Sequence, residues 1–206
     1  MGVKLGNRKS RPRRCAKKML LLVEGASEET YFRYFRGRSP DLKVIPIEIK
    51  RSSLGQMLEE CRYRVKDYEI EGVKDKVAVV FDVDCFAADE IEISSARASE
   101  QGIDLYASNP SFEYWLILHF RDFNKYASQK EMENELSLLL GRKYSKSDGI
   151  SGVITEQRIN EAIVRASKII PLGEVDPTTC KGRLPSTTVH ALVDEILRAT
   201  NDTSLR

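Results

Sequence analysis

No apolar run in this chain of 206 residues approaches the roughly 18–20 needed to cross a bilayer. The basic N-terminus also lacks an apolar stretch of signal-peptide type. Together these absences predict a cytoplasmic protein with no membrane association. Cysteine is sparse and scattered: Cys15, Cys61, Cys85 and Cys180 form no C-x-x-C pair and have no histidine at zinc spacing. That argues against a disulfide framework or a structural zinc site, and for free thiols. No Gly-x-x-x-x-Gly-Lys-[Ser/Thr] phosphate loop occurs, so any ATP hydrolysis must come from another protein. Acidic residues are missing from positions 1–18, which hold Lys4, Arg8, Lys9, Arg11, Arg13, Arg14, Lys17 and Lys18. Setting those eight cations aside from a net charge of +2 leaves −6 on the rest. The length suits one sizeable core, so the expected organisation is a disordered basic arm (1–17) on a single domain (18–206). Such an arm either reaches phosphate backbones, through Arg11, Arg13, Arg14, Lys17 and Lys18, or simply aids solubility.

What is present reads as alternating strands and helices. Lys18 to Val23 is a first strand, and Gly25-Ala26-Ser27 a tight turn in which Ser27 is expected to cap a helix carrying Tyr31, Phe32, Tyr34 and Phe35. Leu42 to Ile49 is a second strand, placed near an edge because Pro46 lacks a ladder donor. Apolar residues at Leu54, Met57, Leu58, Cys61 and Val65 have helical spacing. A third strand follows over 76–83, a helix over 88–101 and a short fourth strand over 103–107. This order predicts an α/β fold, a parallel sheet with helices on both faces. From about residue 109 the pattern becomes helical: a buried aromatic helix around Phe112–Phe120, then helices near 129–140, 155–170 and 186–199. Gly141 to Gly152 reads as a lysine-bearing loop and Pro171 to Pro185 as irregular.

Two apolar runs stop abruptly at carboxylates: Leu20–Val23 at Glu24, with Glu28 one helical turn on, and Val79–Phe81 at Asp82 and Asp84. Parallel sheets bind ligands at the carboxyl ends of their strands. Neighbouring strands would therefore gather these four acids at one rim, where their repulsion calls for a hard divalent cation with oxygen ligands. The bland reading makes the aspartates helix caps or arginine partners, but burying charge without such a purpose is costly. The pattern points to Mg²⁺, with Mn²⁺ as a substitute, and to phosphate chemistry.

Glu-Gly after a first strand and D-x-D after a later one resemble the Toprim domain of topoisomerases, bacterial primases and OLD-family nucleases. The resemblance implies a Toprim-like Rossmannoid sheet and roles for Glu24, Asp82 and Asp84 in holding Mg²⁺ and assisting proton transfer during phosphodiester chemistry. It also implies Glu28 as the second glutamate of the OLD-like branch. More specific is the resemblance to the RloB family, carried by Val23-Glu24-Gly25 with Thr30-Tyr31-Phe32, by Ser108-Asn109-Pro110-Ser111-Phe112-Glu113-Tyr114-Trp115-Leu116 with His119-Phe120, and by Pro185 to Val193. It spans roughly residues 18–197 and implies antiviral defence or abortive infection, with an ATPase partner. Ser111-x-Glu113 is similar to the Ser-x-Glu element of OLD-like nucleases, which would make Glu113 a further metal-site carboxylate. Lys146 would supply the cation near the scissile phosphate. His119 reads as a hydrogen-bonded, partly buried side chain rather than a catalyst, and Trp115 as core.

The expected function is thus a Mg²⁺-dependent phosphodiester hydrolase acting on DNA or RNA. The alternative is a non-catalytic or partner-activated nucleic-acid or nucleotide-binding subunit working with an ATPase. The acidic body and the aromatic helix also allow a homodimer.

Overall fold

The computed structural model describes residues 16–180, 182 and 184–201, so Arg11, Arg13 and Arg14 lie outside the described residues. Four strands, β1 (Lys17–Val23), β2 (Leu42–Glu48), β3 (Lys76–Asp82) and β4 (Ile103–Asn109), form a parallel ladder in the order β2-β1-β3-β4. A two-residue strand, β5 (Ser186–Thr187), adds to β4 antiparallel. Side chains alternate across a strand, and β1 is apolar at nearly every position, so it feeds two cores at once. Met19, Leu21 and Val23 face one layer, and Leu20 and Leu22 face the other.

The second layer is closed by α2 (Leu54–Asp67) and α3 (Ala88–Glu100), through Leu54, Met57, Leu58, Cys61, Ile91 and Ala98. The first layer is larger. It is built by α1 (Ala26–Arg33), α4 (Phe112–Leu118), α5 (Gln129–Leu140), α6 (Glu156–Ser167) and α7 (Val189–Asn201). All seven residues of α4 are buried, and each large side chain so removed from water contributes about 1.5–3 kcal/mol. That explains why a helix with no polar face lies here: it is the hub on which α1, α5 and α6 pack. Among the described residues no helix is long and apolar enough to cross a membrane.

The mixed α/β architecture, the edge position of β2 with Pro46, and the helical C-terminal region agree with the sequence reading. Four details differ. Ser27 does not cap α1; the N-cap is Gly25 and makes no side-chain hydrogen bond. The segment expected to be helical from 186 starts as β5, because Thr188 N–H donates to Ala107 O (2.9 Å) and Thr188 Oγ1 accepts from Ala107 N–H (2.8 Å), tying this stretch to β4 before α7 begins. The sheet is consequently mostly rather than wholly parallel. Finally, β4 runs on to Asn109, two residues beyond the expected end.

Candidate functional site

In the order β2-β1-β3-β4 the chain winds outward from β1 in one direction to β2 and in the other to β3, so the sheet's topology reverses between β1 and β3. Loops at the carboxyl ends of those two strands diverge to opposite faces and leave a crevice. Glu24 follows the last residue of β1 and Asp82 is the last residue of β3. They meet across that crevice: the Asp82 backbone N–H donates to Glu24 Oε2 at 3.1 Å. Asp84 sits in the 3-10 turn Val83–Cys85 immediately beyond, exposed to solvent.

Glu28 enters from the first turn of α1 and is 3% exposed. Gly25 makes room for it, since a Cβ at that position would stand 3.2 Å from Glu28 Oε2. Glu113 comes from the first turn of α4, 1% exposed, and is held by three hydroxyls. Ser111 Oγ donates to its Oε2 (2.7 Å), while Ser27 Oγ (3.0 Å) and Tyr144 OH (3.1 Å) both reach its Oε1. Ser27 and Tyr144 are also 2.9 Å from each other, so two hydroxyl protons serve three contacts. Ser27 lies inside α1, past its Gly25 N-cap, and its hydroxyl serves the carboxylate instead of the helix end. Lys146, about half exposed, brings its Nζ to 3.8 Å from Glu113 Oε1 and 3.9 Å from Glu133 Oε1.

These groups share one electrostatic environment. Burial, reinforced by Glu113 and Glu24, pushes the Glu28 carboxyl up to about 8, against the opposing pull of a backbone hydrogen bond and of Lys146. Asp82 lies well above the usual carboxylate range, through burial first and then through Glu28, Glu113, Glu24 and Asp84. Asp84 is raised too, by partial desolvation and by Glu113. Five acids and one lysine therefore act on one another at this end of the sheet.

Asp82 Oδ1 is buried and has no hydrogen-bond partner. A buried carboxyl oxygen without a hydrogen-bond partner, set among other carboxyl groups, is a costly arrangement that a cation relieves. The donors are hard carboxylate oxygens, the class that Mg²⁺ and Mn²⁺ prefer. As the side chains stand, no three His, Cys, Asp or Glu among the described residues enclose a common point for a metal. The fit therefore lies in donor chemistry and in the unpaired oxygen, not in a finished cage.

Other expected residues lie elsewhere. Lys17 and Lys18 start β1, at the opposite end of the sheet and roughly 20 Å from the rim at strand rise. Lys17 pairs with Glu195 (3.2 Å), and Lys18 Nζ donates to Tyr68 O (3.0 Å) and Glu69 O (2.7 Å). His119 is fully buried between Tyr31 and Trp115. The sequence reading missed Tyr144, which no pattern distinguishes within its polar loop.

The family model of RloB-like proteins matches residues 19–196 of the chain. No curated protein and no solved structure matches it.

Proposed function

The chain belongs to the RloB-like protein family, and on that premise we propose that it is a Mg²⁺-dependent phosphodiester hydrolase of Toprim type acting on DNA or RNA. The observation that carries this reading is the partnerless, buried Asp82 Oδ1 at the β1/β3 crevice, ringed by Glu24, Glu28, Asp84 and Glu113. Asp82 and Asp84 would hold one Mg²⁺ or Mn²⁺, with Glu24, Glu28 and Glu113 helping to hold a second. Divalent cations bound there supply Lewis-acid stabilisation to a phosphodiester.

The chain's own residues do the rest. The Asp82 backbone N–H orients Glu24 by donating to it, and Ser27, Ser111 and Tyr144 lock Glu113 in one pose. Such fixing matters because misplacing a reacting group by about 1 Å can cost on the order of a hundredfold in rate. Lys146 stands beside Glu113 with half its side chain in water. From there it would meet a non-bridging phosphate oxygen and offset charge developing in the transition state. The basic residues Arg11, Arg13 and Arg14 would add sequence-independent affinity for a polyanion. Resemblance to the RloB and OLD groups supports a setting in antiviral defence, beside an ATPase that this chain does not itself encode.

The test is cleavage of a panel of single- and double-stranded DNA, structured RNA and tRNA with Mg²⁺, Mn²⁺ or EDTA. Products that need metal, and that fall on the order of a hundredfold or more in a folded Asp82→Asn variant, are expected. Absence of products from every substrate, in protein that binds Mn²⁺ by calorimetry, would overturn a hydrolase acting alone.

A further inference from the structure

Thr30 belongs to the Thr30-Tyr31-Phe32 pattern, and the rim chemistry leaves it without a role. It sits on the partly exposed flank of α1. A helical threonine often returns its hydroxyl to a carbonyl one turn earlier. Here Oγ1 donates instead to Ser147 O at 3.1 Å, 117 positions along the chain. The Thr30 methyl lies against Gly149, where a Cβ would stand 3.5 Å from Thr30 Cγ2. Glycine is suited to that place, because its φ of +51° is one that other residues rarely adopt. The contacted segment is a compact turn: Asp148 N–H (3.1 Å) and Gly149 N–H (2.8 Å) both donate to Ser145 O, and Arg142 Nη2 donates to Gly149 O (3.2 Å). Lys146 lies inside this turn. Its Nζ is 3.8 Å from Glu113 Oε1 and 3.9 Å from Glu133 Oε1, beyond hydrogen-bond reach, so its own ion pairs do not fix it. The chain on either side does: Tyr144 is tied to Ser27 and Glu113, and Ser147 to Thr30.

We infer that Thr30 is a positioning residue for the phosphodiester chemistry: by pinning Ser147 and Gly149 to α1, it holds Lys146 at the rim where the amine meets a phosphate oxygen. The inference rests on the reading of the rim as a hydrolase site and adds the group that sets its cation in place. One helix then serves both charges, since α1 delivers Glu28 from its first turn and steadies the lysine through Thr30. A lysine amine rides on a flexible four-carbon stem. Loss of the pin frees the backbone beneath it as well, and fewer molecules hold the amine in place when the phosphate reacts. The effect falls on the chemical step rather than on metal affinity, because Glu113 and Glu24 keep their own hydrogen bonds.

The experiment compares single-turnover cleavage by the full chain with that of Thr30→Val, Thr30→Ser, Lys146→Ala and the Thr30→Val, Lys146→Ala double variant. Mn²⁺ calorimetry and amide hydrogen exchange accompany it. Valine keeps a methyl against Gly149 and removes the donor, whereas serine keeps the donor. Thr30→Val should slow cleavage about tenfold at unchanged Mn²⁺ affinity. Thr30→Ser should recover most of that rate, and adding Thr30→Val to Lys146→Ala should cost nothing further. The Asp148 and Gly149 amides should exchange about tenfold faster in Thr30→Val, with those of α4 unaltered. A Thr30→Val rate equal to the parent's, or the same fall on top of Lys146→Ala, overturns the assignment. Weakened Mn²⁺ binding in Thr30→Val overturns it too, by placing the effect on the acids. Parent protein that cleaves nothing counts against the hydrolase reading alone; faster exchange in Thr30→Val then still upholds the pin, and unchanged exchange removes it.

Discussion

Asp82 is the residue on which chemistry and stability pull in opposite directions. Its side chain is buried beside Glu28, Glu113 and Glu24, and one oxygen has no partner. In the metal-free protein this position therefore works against folding, as strained and charged functional sites commonly do. Replacement by the neutral isostere removes a buried like charge at almost no change in volume. Asp82→Asn should raise the stability of metal-free protein by about 1–2 kcal/mol in a denaturant melt. Adding Mn²⁺ should stabilise the unsubstituted protein by mass action and leave the variant nearly unchanged. A variant less stable than the parent in EDTA would show that Asp82 is a structural ligand of its neighbours and not a cation ligand. Legibility at this scale was uneven. Glu24, Glu28, Asp82 and Asp84 stood out because apolar runs ended on them, whereas Tyr144 reaches Glu113 across 31 positions of chain and no local pattern marks such a contact.

Between elements, one histidine at the end of α4 ties that helix to α1 by a buried hydrogen bond. Trp115 O can only accept, so His119 Nδ1 carries the proton it donates there (3.0 Å), and in the neutral ring Nε2 accepts from Tyr31 OH (3.1 Å). Burial lowers the His119 pKa from 6.5 to about 3, with Arg165 and Arg158 acting in the same direction. The folded state therefore holds the neutral ring while the unfolded chain takes up a proton below 6.5. The stabilisation is complete above pH 6.5 and is lost progressively as pH falls towards 3. His119→Gln should flatten the decline of stability between pH 6.5 and 4, a slope of up to about 1.4 kcal/mol per pH unit for one such proton. Equal slopes in parent and variant, measured by urea melts across that range, would refute the assignment. The sequence reading gives His119 as a hydrogen-bonded, partly buried side chain of the aromatic helix; the hydrogen bonds are found, and the ring is buried outright. What that reading could not supply was the partner, because Tyr31 lies on a helix 88 positions earlier.

For the molecule as a whole, charge is divided between the ends of the chain and the sheet rim. Six cations, from Lys4 to Arg14, lie in residues 1–15, while Lys17 and Lys18 are engaged at the end of the sheet away from the carboxylates. Deleting residues 1–15 should weaken binding to duplex DNA and structured RNA alike. The salt dependence should fall as well, by roughly 0.9 in the log–log slope for each duplex phosphate that the arm no longer neutralises. Fluorescence anisotropy over a salt series measures both, and an unchanged slope would assign the arm no part in binding. The same division separates what the residues determined alone from what folding added. Periodicity and abrupt run-ends sufficed for the α/β layers, the edge strand with Pro46 and the two acidic strand ends, because side-chain alternation and burial are local consequences of sequence. Strand order was decided only in three dimensions. It sets β1 beside β3, makes the reversal point that joins Glu24 to Asp82, and brings Glu113, Tyr144 and Lys146 against them from segments much later in the chain. Only the packing of α4 between the sheet and α5 could carry those residues there, since long-range contact depends on which buried faces meet and not on the pattern within any one of them.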